Sequence, residues 1–292
     1  KDMHLASITS DAEGEGDAGT VEVTVDGLLE LVNGGSISSD ANWEGNAGEV
    51  SVHSGQLIID HRGRFFGYTG ISSDANYEKG DAGSVSVNVE GRLELLNGAK
   101  ISVESNTWAT GNAGNAGNVT VTADDITIDG GENAELTCIS SNNYGTGNGG
   151  EVSVTVEGLL ELQNGAKISS ENGEQGGNSG RVSVTAGELK IGGGESGEIN
   201  FNYISTQANE LSLGDAGEVS VTVEGLLEIF KGGIISSDTY GAGNAGNVTV
   251  TAGELKIDGK GGYYRTAGIS SETCYDVGYP DVVSMAQGGD IS

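Results

Sequence analysis

Apolar and polar residues alternate along this chain in short runs that return at regular intervals. Val152-Ser-Val-Thr-Val156 is one such run, Leu160-Glu-Leu162 a second and Leu255-Lys-Ile257 a third. Strict alternation places one set of side chains on each face of a pleated strand, and no stretch carries the 3.6-residue period of a helix. The runs keep a fixed order. An Ile followed by a Ser/Thr-rich pair recurs at Ile8, Ile37, Ile71, Ile101, Ile139, Ile168, Ile204, Ile235 and Ile269. The spacings, 29, 34, 30, 38, 29, 36, 31 and 34, alternate between short and long. After each Ile comes Asp or Asn, a small residue and Gly, from Asp17-Ala18-Gly19 to Asn244-Ala245-Gly246, with Gln287-Gly288-Gly289 as a weaker last copy. A Val-rich strand and then a Leu/Ile strand close each unit.

Three short strands in constant order cannot stack as hairpins without reversing direction. They can wind as a coil in which each strand pairs with its own copy one turn on. The pattern therefore predicts an all-β parallel β-helix, a solenoid of about nine three-stranded coils of two alternating types, forming one domain over residues 1–292. Its inward positions form ladders: the Ile series above, a Val series from Val21 to Val248, and a Leu/Ile series from Leu29 to Leu255. Nine coils at about 4.8 Å each give a length of ~43 Å. The turn glycines are expected to supply a positive φ or a close backbone approach, and the Asn and Asp beside them to hydrogen-bond from coil to coil.

Odd coils carry Val-Asp/Glu-Gly-x-Leu-Glu-Leu/Ile. Even coils carry variants of Thr-Ala-Gly-Glu-Leu-Lys-Ile, followed by long insertions such as Asp60 to Thr69, Gly130 to Cys138 and Gly192 to Tyr203. The outward position between two inward apolar residues then reads Glu161, Lys190, Glu228, Lys256, so opposite charges stack. Such cross-strand pairs contribute about 0.2–1 kcal/mol each.

Composition adds exclusions. Gly is 52 of 292 residues and Pro 1, and 43 acids against 13 bases give a net charge of −30. That surface repels phosphate backbones and anionic lipid, so neither nucleic acid nor membrane insertion is expected. No apolar run is long enough to span a bilayer. Residue 1 is Lys and no signal peptide is present, which reads as a processed or excised part of a longer product. Cys138 and Cys274 lie about four coils, or ~19 Å, apart. A disulfide needs Cα atoms within about 7 Å, so no bridge is expected between them.

Runs such as Gly243-Asn-Ala-Gly-Asn-Val-Thr-Val-Thr-Ala-Gly-Glu-Leu-Lys-Ile-Asp258 and Ile139-Ser-Ser-Asn-Asn-Tyr-Gly-Thr-Gly-Asn-Gly-Gly-Glu-Val-Ser-Val154 resemble the repeats of filamentous-haemagglutinin-like exoproteins of two-partner secretion systems. The resemblance covers nearly the whole chain. It implies a right-handed β-helix, secretion through an outer-membrane partner of a Gram-negative bacterium, and work in adhesion, surface filaments or biofilm matrix. The family's N-terminal secretion domain is not recognisable in the chain.

Several residues stand out as candidates. Trp43, Tyr77, Trp108, Tyr144, Tyr240 and Tyr275 follow the repeat Ile by five to seven residues. They would line an interrupted stripe, either a platform for surface glycans or a neighbouring rod, or local stacking within the loops. Outward Ser and Thr rows, such as Ser153/Thr155 and Thr249/Thr251, could order water, but Glu22, His53 and Asn88 interrupt them. Asp17, Asp81 and Asp215 in the Gly turns, and Asp11, Asp40, Asp74 and Asp238 after the Ile strand, are weak candidates for calcium, since no calcium-binding nonapeptide is present. His53, His61, Arg62 and Arg64 cluster in the second coil and read as a basic loop. No catalytic triad, zinc or phosphate-loop motif occurs, so no enzymatic role and no cofactor are expected; the alternative is a β-helix that binds or processes polysaccharide along the aromatic stripe. Met3 and Leu5 read as a third strand without its predecessors, and Ile291 as a second strand without its successor. With Ile269, these end strands would let copies pair head-to-tail.

Overall fold

The computed structural model describes residues 6–62, 69–77, 80–106, 114–131, 137–173, 177–193, 201–210, 212–260, 267–274 and 291. Among them every regular element is a strand and all pairing is parallel, which makes a β-solenoid. The strands alternate between two sheets. The first stacks β1 (Ser7–Thr9), β3 (Ser36–Ser38), β5 (Gly70–Ser72), β8 (Lys100–Ser105), β11 (Cys138–Asn143), β13 (Lys167–Asn172), β15 (Asn202–Ala208), β17 (Gly233–Thr239) and β19 (Gly268–Thr273). The second stacks β2 (Val21–Val32), β4 (Glu49–Asp60), β6 (Ser84–Val89) with β7 (Arg92–Leu96), β9 (Val119–Ala123) with β10 (Asp125–Asp129), β12 (Val152–Gln163), β14 (Val182–Ile191), β16 (Val219–Phe230) and β18 (Val248–Asp258).

The expected ladders are in register from end to end. Each repeat Ile faces the next, from Ile8 opposite Ile37 to Ile235 opposite Ile269. Val21 to Val248 and Leu29 to Leu255 stack in the same way. Between the end levels these side chains are fully enclosed; Ile37, Leu57, Leu93, Ile126, Ile139 and Leu160 all have no exposed surface. Enclosing each contributes about 1.5–3 kcal/mol.

Two expectations need correction. The sequence counts about nine coils, whereas the solenoid makes about seven turns. The repeat Ile marks rungs, and a stack of rungs encloses fewer turns than it has members. The end rungs also lack a complete coil among the described residues: β1 is exposed along its length, and past Cys274 only Ile291 is described, bridged to Val248. About seven turns correspond to ~34 Å rather than ~43 Å. The expected second and third strands are mostly one strand bent at a corner. The strand itself is interrupted there only between β6 and β7 and between β9 and β10.

That corner explains part of the coil alternation. Val156 lies opposite Ala186 and Leu159 opposite Glu188, so Glu157-Gly158 on one level face Gly187 alone on the next. The same one-residue bulge recurs between Val25 and Leu28 and between Val223 and Leu226. The remaining difference lies beyond the third strand position. Odd levels turn through Asn33-Gly34, Asn97-Gly98, Asn164-Gly165 and Lys231-Gly232, all with positive φ. Two successive left-handed residues make the tightest reversal, which favours Asn-Gly. Even levels carry the long insertions instead.

The insertion returns a capping side chain onto the tight turn one level below. Thr69 Oγ1 accepts the Gly34 N–H at 2.8 Å and Thr137 Oγ1 the Gly98 N–H at 2.7 Å. Asn202 Oδ1 accepts from Gly165 and Ala166 at 3.0 and 3.1 Å. The building block is thus a pair of coils joined by a cap.

Candidate functional site

The acidic candidates belong to side-chain ladders. Asp17 Oδ1 accepts the Asn46 N–H at 2.8 Å, and Asn46 Oδ1 accepts from Asp81 at 2.9 Å. The relay continues through Asn115, Asn148 and Asn178 to Asp215, whose Oδ1 accepts the Asn244 N–H at 2.7 Å. Each Asp in this file is followed by an Asn whose amide also donates to its carboxylate, as Asn244 Nδ2 does to Asp215 at 2.9 Å. Asp17, Asp81 and Asp215 therefore never stack on one another, and the structure brings no two of them together. Among the described residues no group of three or more His, Cys, Asp or Glu is placed to hold a metal.

The file after the Ile strand does stack acids. Asp11 Oδ1 accepts the Asp40 N–H at 3.0 Å, Asp40 Oδ1 the Asp74 N–H at 2.8 Å, and Asp74 Oδ1 the Glu104 N–H at 2.8 Å. Burial raises Asp74 well above the usual carboxylate range, and the charges of Glu104 and Asp40 add to it. Burial also raises Asp40. Lys100 lies 3.6 Å from Glu104. Burial alone would lower its pKa, but Glu104, Cys138 and Asp74 outweigh burial and raise it. Above Glu104 the file turns to Asn142, which continues the relay to Glu171 at 3.0 Å, and at the far end Asp238 passes it to Glu272 at 3.1 Å. Glu104 escaped the sequence reading because it occupies an Asp position with Val103 before it.

Behind this file runs a row of enclosed hydroxyls. Ser73 Oγ donates to Gly48 O at 2.5 Å, Ser141 Oγ to Gly117 O at 2.6 Å, Ser170 Oγ to Gly150 O at 3.0 Å and Ser237 Oγ to Gly217 O at 2.7 Å. These bonds tie the first sheet to the Gly turns. The turn glycines themselves stack so closely that a Cβ on Gly83, Gly117, Gly150, Gly180 or Gly217 would overlap the carbonyl oxygen of the glycine below. Close approach, not positive φ, demands Gly here.

The aromatic candidates separate. Trp43 and Tyr77 stack on adjacent levels, with ring centroids 5.7 Å apart and planes 29° from parallel. Both are half exposed. Tyr144 donates its N–H to Ser105 O, which places it one position short of the Trp43–Tyr77 file, level with Asn106. Tyr240 occupies the file of Tyr144 three levels on. Burial of the Tyr144 hydroxyl, together with the charges of Glu104 and Glu171, pushes its pKa up. Trp108 and Tyr275 lie outside the described residues, as do Met3, Leu5 and Arg64.

The basic cluster is paired with acids. Arg62 meets Asp60 at 2.8 Å and Glu30 at 3.3 Å, and His53 meets Glu90 at 3.5 Å. His61 Nδ1 lies 2.9 Å from Thr69 Oγ1, behind the turn cap. Burial pushes Asp60 up, but bonds from Asn97 and Arg62 outweigh it and hold the carboxyl below its ordinary value. Cys138 is a buried free thiol and Cys274 an exposed one. Of the stacked outward charges, Lys256 pairs with Glu228. Of the end strands, Ile291 is exposed and Ile269 partly buried.

No family model, no curated protein and no solved structure matches this chain.

Proposed function

We propose that the chain is a structural and adhesive segment of an extracellular β-solenoid: the shaft of a large surface exoprotein or a subunit of an extracellular filament or matrix. One observation carries this reading. The inward and turn positions of the repeat are committed to contacts along the solenoid axis. The Ile, Val and Leu ladders, the Asx relay, the turn glycines and the inward hydroxyls all join one coil to the next. A chain built this way transmits position and load along one direction. The repeats' resemblance to filamentous-haemagglutinin-like exoproteins supports the same reading. In it the chain is exported through an outer-membrane partner to a Gram-negative surface, where it works without catalysis.

The end rungs support continuation along the axis. Leu255 and Ile257 at one end are about half exposed, at 49% and 46%, and Leu29 at the other is only partly buried, although their counterparts between, from Leu57 and Ile59 to Leu227 and Ile229, are enclosed. A further parallel rung, from the same polypeptide or a second copy, would cover them. Immunogold labelling of whole producing cells tests the proposal. Label along surface projections or matrix fibres is expected. Label confined to the cell interior overturns it.

A further inference from the structure

We propose that Trp43 and Tyr77 form a stacking platform for the sugar rings of a neutral polysaccharide, a proposal that rests on the extracellular reading above. Apart from residues on the end rungs, few large apolar side chains are exposed among the described residues, and these two are each 50% exposed. Their stacking fixes both rings without enclosing them. Among the described residues Trp43 faces an aromatic ring, that of Tyr77, on one side only. On its other side the level below carries Gly14, where an added Cβ would meet nothing within 4 Å. One broad aromatic face is therefore open, and such a face packs against the apolar C–H face of a pyranose.

The polar surroundings fit the same ligand. Beside the rings runs an ordered amide file. Asn76 Nδ2 donates to Asn42 Oδ1 at 2.9 Å, and Asn42 Nδ2 donates to Glu13 Oε1 at 3.0 Å. The file repeats about every 4.8 Å along the axis, and beyond these bonds Asn42 and Asn76 each keep a second amide N–H and a second oxygen lone pair. Sugar hydroxyls can donate to and accept from both kinds of group. Charge decides which polysaccharide. Glu13, Glu15, Asp17 and Glu44 are all exposed around the platform on a chain of net charge −30. That field repels uronates and sulfates, and equally a second copy laid alongside this lateral face, and leaves a neutral glycan as the fitting occupant.

Affinity electrophoresis of the full chain in native gels tests this, since its charge gives it high mobility. The gels contain hydroxyethylcellulose, xyloglucan, glucomannan or dextran, with alginate as the anionic control. Retardation is expected in at least one neutral gel and not in alginate. Trp43→Ala and Tyr77→Ala should each weaken it at least about tenfold, as loss of an aromatic anchor does. Trp43→Phe should retain most of it, and Tyr240→Ala should leave it unchanged. Thermal melts of all variants separate lost binding from lost fold. Absence of retardation in every neutral gel overturns the proposal, as does retardation that survives both alanine variants. So does a Trp43→Ala change in sedimentation without any glycan effect. The extracellular reading has its own readout in the labelling of cells, so either can fail alone.

Discussion

At the scale of single residues, the turn glycines and the acid file make opposite demands. Gly150 sits against the carbonyl of Gly117 below it, and Gly180 against Gly150 above. No side-chain rotation relieves a clash between a Cβ and a backbone carbonyl, so the two coils have to separate. Gly150→Ala is expected to cost about 2–4 kcal/mol, in the range of overpacking and backbone strain, read as a lowered melting temperature. Alanine at exposed Gly14, where nothing crowds a Cβ, should be near neutral. Asp74 shows the reverse case, a residue tolerated at a cost. Its carboxyl is raised by burial, by Glu104 and by Asp40, so the folded chain holds a proton that the unfolded chain releases. Stability from this group is full below the ordinary carboxylate pKa of about 4 and is lost as pH rises through the raised value. Asn142 shows that Asn serves the same file equally well, passing the same bond to Glu171. Asp74→Asn should therefore raise the melting temperature at pH 7, with the gain shrinking toward pH 4. Equal gain at both values would show that Asp74 is ionised throughout.

At the scale of elements, the pairing of coils sets what can be exchanged. Three of the four tight turns are capped from the next level, by Thr69, Thr137 and Asn202. The fourth turn, Lys231-Gly232, has Ala267 at the corresponding place, directly before β19. Ala267→Thr should supply an acceptor for the Gly232 N–H and stabilise the last levels by roughly 0.5–1.5 kcal/mol. Hydrogen exchange at Gly232 would show it as slowed exchange, and unchanged exchange would mean the cap does not form. Strand identity and register were readable in the sequence because inward Ile, Val and Leu recur at a fixed order in every coil. The corner bulge was not. Val-Glu-Gly and Ala-Gly differ by one residue, and alternation resumes on both sides, so the shift leaves no mark in the hydrophobic pattern. The caps were hidden too, because Thr69, Thr137 and Asn202 lie at the ends of insertions of unequal length, and the third is Asn where the first two are Thr.

At the scale of the molecule, the same periodicity that made the fold legible conceals its function. A repeat spends its regular positions on stacking, so only departures from the repeat carry other information. The stacked Trp43–Tyr77 pair is such a departure, because Tyr144 and Tyr240, the described tyrosines of the later loops, lie in another file. The repeat overstates the number of turns for a related reason: a motif counts rungs, and the end rungs are not closed by coils among the described residues. The two-coil unit has one consequence for any longer assembly. A level bearing the bulge and tight turn must be followed by one bearing the insertion and cap, so continuation along the axis preserves a repeat of two coils. Cryo-electron microscopy of the native surface structures, after antibody identification, tests this most directly. The expected result is axial order at about 4.8 Å with a second period near ~9.6 Å. Compact particles with no axial period, or a 4.8 Å period without its double, would contradict it.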